Sequence, residues 1–290
     1  MNTTNSLTDW MKAAKEIRLD EESLRLRRLI VRTLQCGKRG HGPTALSVID
    51  ILRVLYNDIM KFNPKEPKWE KRDRFILSKG HGCIAQYVML AEKGFISHKE
   101  LWKFCSHGAL LGGHPEHTIP GVEFSTGSLG HGFPVAVGFA LNAKIDKALH
   151  RIFTIIGDGE SGEGSIWEAA LYASKHKLSN LTVIVDYNKQ LTYSTTFEVL
   201  DLEPLADKWK SFGFAVQQVN GHDIAQLKET FSKLPFEQNK PNCIIAHTIK
   251  GKGIPMLEGN FGWHHKSSIP EEDFAKLYES LGGWNEKDCS

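Results

Sequence analysis

Short β-branched apolar runs alternate along this chain with stretches whose apolar residues recur every three or four positions, and that alternation predicts an α/β fold. The runs Arg74–Leu77, Arg151–Ile156, Leu181–Val185, Phe214–Val219 and Asn242–Thr248 read as buried strands. Residues 1–38 read as helical, with Leu24, Leu26, Leu29, Ile30 and Val31 on apolar seams. Further helices are predicted at Ala45–Tyr56, Cys83–Glu92, Lys99–Cys105, Phe133–Ile145, Ser165–Lys177, Leu202–Phe212 and Ile224–Leu234, with an acidic one, EEDFAKLYESL, near the carboxyl end. The expected architecture is an open, mainly parallel sheet with helices on both faces, forming a single domain over 1–290 with an N-terminal helical extension. Three long connections, 57–72, 105–130 and 189–201, are of a length that usually serves a function.

One unit in this pattern carries chemistry. The polar turn GDGESGEG, Gly157 to Gly164, follows a buried strand and precedes a helix with Ile166, Ala169, Ala170 and Ala173 on one face. A right-handed crossover then returns the strand LTVIVDYNKQ, Leu181 to Gln190, parallel to the first. Asp158 and Asn188 therefore emerge at the carboxyl end of the sheet, where α/β proteins place their ligands. A carboxylate, an amide oxygen and the backbone carbonyl of Gln190 suit a hard ion such as Mg²⁺, which keeps part of its coordination for phosphate oxygens. The glycines allow close backbone approach, and the following helix offers its amino end to negative charge. A tight acidic turn with no ligand is the plainer reading of the same residues. GxxxxGK[ST] does not occur, and although GDGESG, Gly157 to Gly162, has the glycine spacing GxGxxG, it is read here as a metal and diphosphate turn rather than a dinucleotide loop.

Histidine is the second signal. Of 13 histidines, several stand in glycine-rich turns: Gly40-His41-Gly42, Gly80-His81-Gly82, Gly113-His114-Pro115 and Gly130-His131-Gly132, with the pair His264-His265 after Trp263. One such residue is ordinary in a turn. Several together offer neutral imidazoles that bind hydroxyls and phosphates and move protons near pH 7, which points to a polyhydroxylated, phosphorylated substrate. A histidine zinc site is the rival, but no HExxH is present and the spacings are long.

Composition narrows the classes. With 290 residues, 41% hydrophobic and 24% charged, the chain can bury a large core, and its balanced formal charge of +2 predicts no nucleic-acid partner. Five cysteines, Cys36, Cys83, Cys105, Cys243 and Cys289, are widely spaced without a CxxC pair, so neither a disulfide framework nor a cysteine zinc site is expected. A reducing, cytoplasmic setting fits that usage. The opening residues are polar and predict no signal peptide, and no run of 18 apolar residues could span a bilayer.

Taken in order, GHGPTALS from Gly40, DRFILSKGHG from Asp73, GGHPE from Gly112, PGVEFSTGSLGHG from Pro120, GDGESGEG from Gly157, VDYNKQ from Val185 and GWHHK from Gly262 resemble the amino-terminal, diphosphate-binding portion of a transketolase. The resemblance covers nearly the whole chain and includes the separation of 30 residues from Asp158 to Asn188 that is typical of thiamine diphosphate enzymes. It implies the thiamine diphosphate-binding fold, with Mg²⁺ held by Asp158, Asn188 and the backbone of Gln190. It places Gly157, Gly159 and Glu160 against the diphosphate and His81 on its oxygens. Gly127, Ser128 and Leu129 match the turn whose leucine backbone meets the aminopyrimidine. Glu163 matches a glutamate that couples cofactor sites across the dimer. His41, His114 and His264 match the histidines that face the sugar.

The chain departs from the family pattern at several points. Ser128 and His131 replace a proline and a glutamine, His265 stands where glycine is usual, and Gly42-Pro43 inverts the common order. The implied reaction moves a two-carbon ketol unit from a ketose phosphate such as xylulose 5-phosphate to an aldose phosphate. The family's pyrimidine-binding domain has no counterpart in this sequence. The resemblance therefore implies a separate partner chain carrying that domain, in a two-plus-two heterotetramer. The alternatives are a branched, deoxy- or sulfo-sugar or a 2-oxoacid as donor, and a cofactor-binding regulatory partner without catalysis.

Overall fold

The structure, a computed structural model, describes residues 6–289. Its centre is a five-stranded sheet in the order β1-β2-β3-β5-β4, from β1 (Arg74–Leu77), β2 (Ile152–Gly157), β3 (Leu181–Tyr187), β4 (Ala215–Asn220) and β5 (Asn242–His247). All neighbouring pairs are parallel, and the register sets Gly157 beside Asp186 and Tyr187 beside His247.

The strands are largely apolar because both faces of the sheet are covered, except the edge strand β4, AVQQVN, where Gln217 and Gln218 are exposed. Phe75, Leu77, Phe153, Ile155, Ile184, Ile244 and Ala246 join one core with helices α2 (Glu21–Gly37), α3 (Gly42–Val54) and α4 (Cys83–Glu92). Ile76, Ile152, Ile156, Val183, Val185, Cys243 and Ile245 join the other, against α6 (Gly132–Ile145), α7 (Gly164–Lys175) and α9 (Leu205–Ser211). The two sets alternate along each strand, as the pleat requires. The expected Ile166, Ala169, Ala170 and Ala173 face of α7 is buried. The remaining helices are α1 (Leu7–Glu16), α5 (His98–Leu101), α8 (Thr196–Val199), α10 (Ile224–Ser232) and α11 (Glu271–Ser280). None of the helices among the described residues is long and apolar enough to cross a membrane.

The single helix expected over 1–38 is divided. Its first five residues lie outside the described set, and the rest form α1 and α2, separated where Asp20 caps the amide of Ser23. The helix expected at Lys99–Cys105 is only the single turn α5, and Cys105 adopts φ +56. The loop expected at 189–201 contains α8, whose Thr195 and Glu198 form a capping box.

A fully buried ion cluster sets the position of α3. Arg27 of α2 donates to both carboxylate oxygens of Asp50 on α3, at 2.9 and 2.6 Å. His222 donates from Nδ1 to the same carboxylate at 2.8 Å, while its Nε2 accepts from the amide of Ile249. Burial opposes the Asp50 charge, but the Arg27 charge and the hydrogen bonds from Arg27 and His222 outweigh it and hold the carboxyl well below the usual range. Asp50→Ala strands the Arg27 guanidinium and is expected to cost about 3–5 kcal/mol in chemical denaturation. Because the folded carboxyl is depressed, its stabilisation is present above the ordinary carboxylate range. It is lost as pH falls below that range, so the wild type should show acid lability that the variant lacks.

Candidate functional site

β2 and β3 end side by side, so Asp158 and Asn188 follow directly from paired strand ends onto one rim of the sheet. They line a cavity of about 300 Å³ together with Lys79, His81, Leu129, Gly157, Gly159, Glu160, Gln190, Lys250 and His264. The rim is built from the adjoining loops. The turn at Gly80–Gly82 packs so tightly on the next loop that a Cβ at Gly80 would lie 2.9 Å from the backbone of Gly127. Gly130, at φ +79, turns the chain where a Cβ would meet Glu163 at 2.8 Å.

Asp186, fully buried on β3, organises the polar groups beneath this rim. It pairs with Lys79 and accepts from Ser47 at 2.7 Å, from Thr248, and from Asn188 Nδ2 at 3.1 Å. A carboxylate can only accept, so the amide of Asn188 must present its NH₂ to Asp186, which leaves Oδ1 turned elsewhere. That oxygen accepts from the amide of Gln190 at 3.1 Å and retains capacity for a cation. Asp158 accepts from the amides of Gly159 (2.8 Å) and Lys189 (2.5 Å). Burial, and then the nearby Asp186 charge, push its carboxyl up to about 6, against the pull of the Gly159 amide, Lys79 and Lys250. A divalent ion would relieve that penalty. Among the described residues no cluster of three or more His, Cys, Asp or Glu could hold a metal. One carboxylate, one amide oxygen and a backbone carbonyl instead suit a hard cation that completes its shell with phosphate and water.

Glu160 lies on the cavity wall, but its carboxylate points inward. It accepts from Ser78, from the Gly130 amide at 2.9 Å and from the Gly157 amide at 3.2 Å, tying three loops together. Burial raises its pKa against those hydrogen bonds.

A second cavity of about 460 Å³ adjoins the histidines, lined by Arg39, His41, Cys105, Gly112, His114 and His265 among others. His41 sits at the centre, with ring centroids 4.7 Å from His81, 5.5 Å from His264, 4.6 Å from His265 and 6.1 Å from His114. His81 and His264 face the first cavity, whereas His41 and His114 face the second. Burial, and then neighbouring histidines and lysines, depress the group. His81 and His264 fall to about 4, and His41 lies lower still. Burial also lowers His114. These four rings are therefore neutral at pH 7 and able to donate at one nitrogen and accept at the other. Lys250 Nζ lies 2.8 Å from His264 Nδ1, so the ammonium donates there and the ring proton belongs on Nε2. The buried Nε2 of His114 has no hydrogen-bond partner among the described residues, as expected of a group that meets a ligand.

The other expected positions lie outside both cavities. Ser128 and Glu163 are exposed, with Glu163 against the Gly130 turn, and Gly127 packs beneath the His114 ring. His131 is exposed and hydrogen-bonds locally to the Leu129 carbonyl. Lys79, Asp186 and Lys250 were not singled out as site residues by the sequence. The signal available for Lys79 and Asp186 was their place inside the motifs SKGHG and VDYNKQ, since a lysine in a buried ligand-binding motif needs a counter-charge, whereas Lys250 lies in neither motif.

The family model described as transketolase, thiamine diphosphate binding domain, matches residues 21–289. The chain belongs to the transketolase family, its cofactor is thiamine diphosphate, and it is a catalytic domain acting in two-carbon transfer between sugars. It is 43% identical over 254 residues to one of the subunits of the apulose-4-phosphate transketolase of Phocaeicola vulgatus, covering 88% of this chain and 90% of that one. It is 40% identical over 258 residues to 6-deoxy-6-sulfo-D-fructose transketolase subunit SqwG of a Clostridium species, covering 89% and 94%. Among solved structures, transketolase from Campylobacter jejuni superposes with a TM-score of 0.85 at 34% identity, covering 91% of this chain and 42% of its own.

Proposed function

We propose that this chain is one single-domain, diphosphate-binding subunit of a split transketolase, and that a separate partner supplies the pyrimidine-binding domain in a two-plus-two assembly. The observation that carries the reading is the meeting of neutral imidazoles with the Asp158–Asn188 rim, in a chain that spans nine tenths or more of relatives named as subunits but about two fifths of a solved full-length transketolase.

Asp158, Asn188 and the Gln190 carbonyl would hold Mg²⁺, with Gly157, Gly159 and the backbone of Glu160 against the diphosphate and His81 on its oxygens. Leu129 and its neighbours Gly127 and Ser128 would meet the pyrimidine end, and exposed Glu163 would face a second cofactor site in the assembly. Bound thiamine diphosphate supplies the electron sink that lets a ketose C2–C3 bond break. His114 and His264 would orient the donor near C1 and C2. His41 and His264 would take the C3 hydroxyl proton and return one to the acceptor aldehyde oxygen.

The relatives' names favour a branched or sulfonated donor, of the kind of apulose 4-phosphate or 6-deoxy-6-sulfo-D-fructose, over xylulose 5-phosphate. A coupled assay with the chain alone is expected to show no ketol transfer, and addition of the partner chain is expected to restore it. Across a donor panel, kcat/KM for the branched or sulfonated ketose should exceed that for xylulose 5-phosphate by roughly 10-fold or more. Full turnover by the lone chain would refute the split site, and a preference for xylulose 5-phosphate would refute the donor assignment.

A further inference from the structure

We infer that His222 is a positioning residue of this site: braced by Asp50, it holds the Ile249 amide and so aims Lys250 at His264. The inference rests on the reading of His264 as a group that faces the sugar beside the cofactor cavity.

Lys250 reaches the first cavity from the corner of a tight turn. The chain leaves β5 at His247, and the carbonyl of Ile249 accepts from the amide of Lys252 at 3.1 Å, which closes a four-residue turn with Lys250 at its second position. Gly251 occupies the third at φ +87, where a Cβ would lie 2.8 Å from the backbone of Leu257. From this corner the ammonium donates to the carbonyl of Leu191 at 3.0 Å and to His264 Nδ1 at 2.8 Å. Those bonds keep their lengths only while the turn keeps its place.

The buried cluster of Arg27, Asp50 and His222 grips both ends of that turn. The register sets Asn220 at the end of β4 beside His247, so His222 emerges next to the turn. Its Nε2 accepts from the Ile249 amide, the first residue, at 2.9 Å, and Arg27 Nε donates to the carbonyl of Lys252, the last, at 2.9 Å. An amide can only donate, so Nε2 carries no proton and Nδ1 carries the one given to Asp50. Burial lowers the pKa of the ring, against the hydrogen bond and charge of Asp50, which keeps this neutral tautomer. Asp50 is itself held, by both terminal nitrogens of Arg27 and by the Ser23 hydroxyl at 2.7 Å. It belongs to α3, whose first turn follows His41 and whose Pro43 carbonyl accepts from the Gly251 amide at 3.0 Å. One network therefore fixes both the turn that offers Lys250 and the helix end that offers His41. None of its three side chains lines either cavity, so it acts through the groups it holds.

Two amide replacements separate the nitrogens of His222. In His222→Asn the side-chain amide reaches the Nδ1 position and donates to Asp50, but Ile249 loses its acceptor. In His222→Gln the carbonyl reaches the Nε2 position and accepts from Ile249. In the assembled enzyme, with xylulose 5-phosphate or 6-deoxy-6-sulfo-D-fructose as donor, whichever turns over faster, His222→Asn is expected to lower kcat by roughly 10–100-fold, the scale of a small misplacement of a reacting group. KM for the donor should change by less than about 3-fold, and His222→Gln should recover most of the loss. A purely structural role would lower melting temperature in both variants and leave kcat per folded molecule unchanged. The second readout is independent of activity: nitrogen-15 imidazole NMR of the full chain reports which nitrogen of His264 is protonated. Wild type and His222→Gln should show one tautomer, with the proton on Nε2, and His222→Asn a mixture of both. An unaltered His264 in the asparagine variant overturns the inference. A mixed His264 with unchanged kcat per folded molecule supports the hold on Lys250 and overturns the sugar-facing reading of His264. Where His222→Asn does not fold, Asp50→Asn weakens the brace from its other end, and an unshifted His264 there overturns the inference in the same way.

Discussion

Asp158→Ala is expected to abolish Mg²⁺-dependent uptake of thiamine diphosphate, and with it all two-carbon transfer. Of the two carboxylates that line the cavity, Glu160 is spent on the amides of Gly130 and Gly157, and Asp186 beneath the rim is spent on Lys79 and Asn188, which leaves Asp158 as the anionic ligand. Without Asp158 an ion would be left with an amide and a carbonyl, too little charge to draw Mg²⁺ from water. The variant also loses the acceptor for the amides of Gly159 and Lys189, so a lower melting temperature alone proves nothing. The informative quantity is the shift caused by ligand. For the wild type, cofactor and Mg²⁺ at about 100 times Kd should stabilise the fold by about 2.7 kcal/mol, whereas the variant should show no shift. The pH dependence provides an internal check. Burial, and then the Asp186 charge, hold the Asp158 carboxyl up to about 6, so below that pH a proton must leave before the ion binds, and affinity should fall roughly tenfold per pH unit. An unchanged cofactor affinity in Asp158→Ala would remove the site from this rim.

Much of this arrangement is legible from the sequence because local and global signals agree. RFIL, FTII, TVIV and CIIA are too short and too apolar for surface helices, and a sheet covered on both faces is the only economical home for them. GDG and YNK then fall at strand ends by counting alone, which puts Asp158 near Asn188 before any coordinates are known. The histidines were visible as a class for a similar reason, since glycine-flanked imidazoles announce loops that approach a ligand. Their grouping was not. It depends on the Gly40–Lys266 bridge, which joins segments more than two hundred residues apart, and no periodicity encodes that.

The lysines escaped for a different reason. Lys79 and Lys250 carry no spacing signal, and their role depends on burial next to Asp186 and His264. Burial, then the nearby lysine and carboxylate charges, leave Lys250 at about 8, so it is still a cation at pH 7 and fixes which nitrogen of His264 holds the proton. The break at Asp20 and the short α5 were missed because capping and a left-handed residue at Cys105 overrode a continuous apolar pattern.

Replacing His264 or His114 with alanine should lower kcat/KM for ketose donors by roughly 10²-fold or more while leaving thiamine diphosphate affinity nearly unchanged, the scale of one positioned proton-transfer or transition-state contact. His81→Ala should do the opposite, raising the cofactor concentration for half activity. The contrast follows from placement. His81 shares the first cavity with Lys79 and the Asp158 rim, whereas His114 lines the second, with a buried Nε2 that finds no partner among the described residues. His264 also borders the first cavity, but its Nδ1 is held by Lys250 and its Nε2 lies 3.5 Å from Thr192, so its proton is presented at the cavity mouth. A merely structural role for the three rings would lower melting temperature and active fraction together, with no separation of donor from cofactor effects. Steady-state kinetics on assembled variants, titrated separately with donor and cofactor, reads that separation. The wild-type acid limb adds a second criterion: burial, and then surrounding positive charge, hold His81 and His264 down to about 4, so with cofactor saturating no titration near 6.5 should appear in kcat/KM. If an ordinary imidazole step appears there, or if His264→Ala weakens only cofactor binding, these histidines do not handle the sugar.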